Sequence, residues 1–156
     1  MSEAAGEEAN GQGNGQGNGQ GNGQWSSQGS GHATGGVRIL LRLEGLTLFA
    51  GMVLLYAAWD GSWWVFFILF LVPDLSFAAY LAGPKTGAIV YNAAHSYMAP
   101  VALMTLGFGL AAPLTPSIAM IWLAHIGIDR ALGYGLKYSA GFGVTHLGRI
   151  GRKPAS

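Results

Sequence analysis

The chain has 156 residues, enough for one domain, and a formal net charge of +1 from eight Lys/Arg and seven Asp/Glu. Bases this few and scattered offer no surface for nucleic acid. The absence of cysteine excludes disulfides, thiolate metal sites and cysteine nucleophiles.

Residues 1–36 hold twelve of the 26 glycines and almost no aliphatic side chains, and residues 11–24 repeat Gly-Gln-Gly-Asn. Such a stretch has no apolar surface to offset the entropy of ordering, so a disordered polar tail is expected over 1–36. The first 24 residues lack an apolar run and carry Glu3, Glu7 and Glu8, so no signal peptide is expected.

After Gly36 the pattern predicts four helical spans, at 38–58, 63–82, 86–106 and 116–132, each near the ~20 residues that cross a bilayer. Residues 65–72 contain no polar side chain, and between Leu46 and Trp59 only Thr47 and Tyr56 carry hydroxyls. A water-soluble amphipathic helix needs a polar face, which these segments lack. The connections are short and rich in Gly, Pro and Asp, so consecutive helices should be antiparallel neighbours. The expected fold is an all-α membrane protein, an antiparallel four-helix transmembrane bundle over 37–135 with a juxtamembrane segment at 136–156.

The positive charges set the expected orientation. Arg38 and Arg42 precede the first span, Lys85 follows the second, and Lys137, Arg149, Arg152 and Lys153 follow the fourth. The loops near Asp60 and Pro113 carry no Lys or Arg, so both termini are expected in the cytoplasm. Trp59, Trp63 and Trp64 then form an aromatic belt at the outer surface.

That topology brings Glu44, Asp74, His95, His125 and Asp129 into one layer roughly 10 Å thick in the cytoplasmic half. Ionisable groups at such depth are costly, face the protein interior and mark functional sites by default. His125 and Asp129 are i, i+4 on one face, and Asn92, His95 and Ser96 share another. Pro73 and Pro100 flank the layer and should kink their helices, while Gly127 and Ala131, like Ala79 and Gly83, have small-residue spacing for close packing. Plain structural roles are open to each member. Glu44 can snorkel and pair with Arg42, Asp74 can pair with Arg130, and His125 and Asp129 can pair with each other.

Imidazole mixed with carboxylate suits a divalent metal such as Zn, Mn or Fe. The sharpest expectation is metal-assisted hydrolysis of a lipid-like substrate. His95, His125 and Asp129 are its ligands, with Asp74 as ligand or general base, Glu44 as a second catalytic carboxylate, and Asn92, Ser96 and Arg130 supporting. A proton-coupled carrier, which would need a homo-oligomer to enclose its path, and a structural protein in which the layer only fixes helix register stand beside it. Residues 133–152 are too polar to span. Lys137, His146, Arg149 and Arg152 there are candidates to bind lipid phosphate, or to fold back as a lid.

Four segments then carry a resemblance: Phe70 to Ser76 (FLVPDLS), Tyr91 to Tyr97 (YNAAHSY), Trp122 to Tyr138 (WLAHIGIDRALGYGLKY) and Thr145 to Gly151 (THLGRIG). In this order over residues 37–151 they resemble a bacterial integral-membrane family catalogued as domain of unknown function 4260. The resemblance implies a small multi-helix protein of the bacterial cytoplasmic membrane and transfers no catalytic assignment.

Overall fold

The computed structural model describes residues 33–112, 114–139 and 144–149. Residues 1–32 of the tail expected over 1–36, and Arg152, lie outside them. The described residues form α1 (Gly35–Ala58), α2 (Trp63–Phe70), a 3-10 helix (Val72–Ala82), α3 (Pro84–Ala94), α4 (Met98–Gly109) and α5 (Leu114–Leu132). A short antiparallel hairpin follows, β1 (Val144–Thr145) paired with β2 (Gly148–Arg149). The chain is thus helical over most of each expected span, with breaks at Leu71 and at His95–Ser96–Tyr97. Two stretches, Gly35–Ala58 and Trp63–Ala82, are long and apolar enough to cross a membrane.

α5 is the centre, buried through Ala119, Met120, Ile121 and on from Leu123 to Gly127. α1 runs antiparallel along it, and α2 and α4 also pack on it. The α1–α5 crossing is possible only because two glycines meet. A Cβ on Gly127 would lie 2.7 Å from the Phe49 amide nitrogen, and one on Gly45 would lie 2.7 Å from the Gly127 carbonyl oxygen. The expected small-residue contact at Gly127 is therefore real, and Gly45 is its partner. Of the helices α1 contacts, α5 rather than the next in sequence is the more intimate neighbour. The α1 backbone follows α5, and it reaches α2 through rings such as Tyr56–Trp63 and Phe49–Phe70.

Both prolines do more than kink. Pro73 has no N–H to donate and ends α2, after which the chain tightens into an eleven-residue 3-10 helix that packs on α3. Around Pro100 the third expected span divides into two helices, separated by His95–Ser96–Tyr97. Pro100 cannot donate to the carbonyl one turn back, and its ring crowds that turn.

Two carbonyls at this break find distant donors: Ala94 O receives the Trp122 indole at 2.7 Å and His95 O the Arg130 guanidinium at 3.4 Å. A buried helix break persists only when its freed backbone groups are answered in this way.

α5 stops at a Schellman motif. Gly133 takes φ +97°, Tyr134 N–H reaches Asp129 O at 2.7 Å and Gly133 N–H reaches Arg130 O at 3.0 Å. The chain then returns beneath α3 and α5. Asn92 clamps it there, donating to Lys137 O at 2.8 Å and accepting from Lys137 N–H at 2.7 Å. Lys137 also bridges to Thr145, which ties the hairpin to the same strand-like segment.

Candidate metal centre

Four of the five residues expected in one layer converge. Asp74 is supplied by the start of the 3-10 helix, His95 by the end of α3, and His125 and Asp129 by one face of α5. One ligand atom from each lies within 4.8 Å of all the others. The two imidazole Nε2 atoms are 3.2 Å apart. His95 Nε2 lies 3.7 Å from Asp74 Oδ1 and 3.5 Å from Asp129 Oδ2, and His125 Nε2 lies 3.5 and 3.7 Å from the same oxygens.

A tetrahedral cation with ligands at about 2.1 Å has ligand–ligand edges of about 3.4 Å. Five of the six edges here fall between 3.2 and 3.7 Å. The tautomer of His95 agrees. Its Nδ1 faces Tyr91 O at 3.0 Å, and a carbonyl can only accept, so Nδ1 carries the proton and Nε2 presents a lone pair. His125 Nδ1 is buried with no hydrogen-bond partner among the described residues.

Aromatic rings fix the imidazoles. Tyr91 stacks on His95 with centroids 3.8 Å apart, and Phe70 meets His125 edge-on at 5.3 Å. The Tyr91 hydroxyl also donates to Asp129 Oδ2 at 3.4 Å. Sequence reasoning passed over Tyr91, although its i, i+4 spacing from His95 put it on the same face. Both imidazoles are buried, whereas the Asp74 side chain is 38% exposed, so the group opens on the Asp74 side. An apolar cavity of about 200 Å³ adjoins that side. Its walls include Pro73 and Ala94, chain neighbours of Asp74 and His95, together with Leu69, Val72 and Trp122.

Other expected site residues lie elsewhere. Glu44 is exposed on α1 and does not join the group, because Gly45, the next residue, is the one that faces α5, and one residue along a helix turns the side chain by 100°. Ser96 caps locally, donating to Ala93 O at 3.3 Å, and Asn92 acts on the backbone of Lys137. Arg130 is a brace. It donates to His95 O at 3.4 Å, lies 5.3 Å over the Tyr97 ring, and has Nη1 2.8 Å from His146 Nε2.

Lys137 and His146 were expected to contact lipid phosphate, but both turn inward. Lys137 is 3% exposed, with Nζ 5.0 Å over the Tyr91 ring and 5.8 Å over Tyr134. Burial pushes its ammonium pKa down, against the pull of Asp129. His146 accepts from Leu136 N–H at Nδ1 (2.9 Å), so its neutral ring carries the proton at Nε2, which lies 2.8 Å from Arg130 Nη1. Burial and the Arg130 charge lower its pKa, and the Leu136 backbone contact opposes them. The side chain of Arg149, like Arg152, lies outside the described residues. The described part of the C-terminal segment therefore sits as a strap against Tyr91 and Arg130.

A family model described as a domain of unknown function (DUF4260) matches residues 38–150, and the chain belongs to that family. No curated protein and no solved structure matches it.

Proposed function

We propose that this chain is a multi-pass protein of the bacterial cytoplasmic membrane whose four hydrophobic segments form a transmembrane bundle. In this reading the Asp74–His95–His125–Asp129 group holds a divalent cation, zinc by preference, for the hydrolysis of a lipid-like substrate. The observation that carries it is the near-tetrahedral spacing of four potential ligand atoms, with His95 already fixed in the ligating tautomer.

The membrane half of the proposal is supported by where apolar side chains point. Only 11% of each spanning window is buried, and Trp64, Ile68, Leu54 and Leu81 are largely exposed. Water would penalise that surface by about 25 cal/mol per Å², whereas lipid would not. The basic residues near both termini support cytoplasmic ends.

The roles divide by exposure. His95, His125 and Asp129 would hold the cation from the inner side, and Asp74, on the open side, would serve as a fourth ligand or as the general base. A bound divalent cation supplies Lewis acidity and a water acidic enough to be deprotonated near neutrality. The apolar cavity beside Asp74 supports a substrate with a hydrocarbon chain, and Tyr91 and Asn92 hold the inner wall in place.

Metal analysis of detergent-purified protein should find about one equivalent, and His125→Ala should reduce it to background. Mixed micelles of phosphatidylglycerol and phosphatidylethanolamine should then release product, detected by mass spectrometry, only with metal-loaded protein. Absence of metal from wild-type protein refutes the centre. Metal without product refutes the hydrolase, and pH changes in proteoliposomes that vanish in Asp74→Asn would establish the carrier instead.

A further inference from the structure

A second cavity, of about 220 Å³, lies between the start of α1 and the returning C-terminal segment. Arg38 and Arg42 line it with Leu132, Gly133, Tyr134 and Gly148, and it shares no residue with the metal centre. The two arginines are i, i+4 on α1 and so project to the same side. Each is fixed through Nε alone: Arg38 donates to Ala33 O at 3.1 Å, and Arg42 to Ala131 O at 2.6 Å. Their terminal nitrogens have no hydrogen-bond or carboxylate partner among the described residues. Gly148, at φ +125°, comes so close to Arg38 that a Cβ there would lie 2.8 Å from an Nη atom.

We infer that this cavity is a binding site for a phosphate-type anion, either a lipid headgroup phosphate or free phosphate. Two guanidiniums held at their Nε atoms present four terminal N–H₂ donors in fixed planes, the geometry that phosphate oxygens accept in pairs. Helix ends repel anions through their free carbonyls, but here the carbonyls of Asp129, Arg130 and Ala131 are already engaged by Tyr134 N–H, Gly133 N–H and Arg42. The Arg42 contact thus caps α5 and removes an obstacle to the anion at once. The sequence had offered a phosphate role to Lys137, His146, Arg149 and Arg152, with a lid as the alternative; this site lies instead at Arg38 and Arg42.

Thermal unfolding of the full chain in uncharged detergent tests this, with sodium phosphate or phosphatidylglycerol added and phosphatidylcholine as the zwitterionic control. Binding should appear as a rise in Tm that weakens with added salt. Each lost arginine should weaken affinity about fivefold, and the Arg38→Gln/Arg42→Gln pair about 25-fold. Arg38→Gln alone leaves the α5 cap intact and serves if the double variant does not fold. A shift with inorganic phosphate marks a soluble anion, and a shift with phosphatidylglycerol only marks a headgroup. Either response, lost in the variants, upholds the site. No shift in wild type, or an equal one in the variants, overturns it. Metal content should be unchanged throughout, so failure here and failure of the metal centre are separable.

Discussion

At Met120 and Ile121, α5 is packed among rings and aliphatic side chains; two turns further on, at His125 to Arg130, it is packed among polar partners. The first region joins Tyr56, Phe66 and Ala124, with Phe66 5.2 Å from Tyr56 and 5.3 Å from Phe70. Its one directional anchor is the Tyr56 hydroxyl, which donates to Ser62 O at 2.8 Å. The second region answers its polar side chains with specific atoms: Arg130 with His95 O and Asp129 with the Tyr91 hydroxyl, and Trp122, one turn earlier, with Ala94 O. Dispersion is non-directional and tolerates swaps of similar volume, whereas hydrogen-bonded networks hold only as complete sets. One helix thus carries an adaptable half and a specified half, and the specified half is where the chemistry belongs.

The largest effect separating the halves should be metal content. His125→Ala should abolish binding, and Tyr91→Phe, which removes only the hydroxyl contact to Asp129, should weaken affinity roughly 10-fold. Phe66→Leu should leave the metal in place and cost a few kcal/mol at most in unfolding. If inductively coupled plasma mass spectrometry found all three alike, the division would collapse. The second largest effect lies at the crossing that both halves share. Gly127→Ala forces a methyl against the Phe49 backbone and should cost about 1–3 kcal/mol, with Gly127→Leu preventing a monodisperse preparation. Circular-dichroism melting in detergent reads the first, and size-exclusion chromatography the second.

How much of this was legible in the sequence follows the same division. Depth along the predicted spans grouped Asp74, His95, His125 and Asp129, because hydrophobic runs and charge bias report position along the membrane normal. They do not report rotation about the helix axis, so Glu44 was grouped with them although Gly45 holds the inward position. The prolines marked where helices would yield. They did not show that the chain would open at His95, since that depends on distant donors, Trp122 and Arg130, meeting the freed carbonyls. Asn92 read as a supporting site residue because its 45-residue separation from Lys137 leaves no local pattern. The hairpin after α5 was equally hidden, its strands being two residues each.

Asn92 offers a finer cut within the specified half. Asn92→Ala removes two hydrogen bonds and leaves the Lys137 N–H and carbonyl without them, a local cost of about 2–3 kcal/mol. Hydrogen exchange at the Lys137 amide should accelerate while exchange near Tyr56 stays unchanged. Parallel acceleration at both would mean that the strap and the aromatic region unfold as one unit.

The smallest expected effect is a pH dependence confined to the strap. His146 accepts from Leu136 N–H and faces an Arg130 donor, so the doubly protonated ring gives up its acceptor and meets a guanidinium. Burial and that charge lower its pKa below the ordinary 6.5. Above pH 6.5 the ring is neutral whether the strap is packed or released, and it costs nothing. As pH falls below 6.5 the released ring takes up a proton that the packed ring resists, so the released state binds more protons and packing weakens. Exchange at the Leu136 amide, corrected for its intrinsic pH dependence, should therefore quicken between pH 7.5 and 5. His146→Gln, which cannot titrate, should flatten the response, while the Tyr56 region should show none in either protein. A pH response that survives His146→Gln would place its origin outside this ring, and the strap would then have no switch of its own.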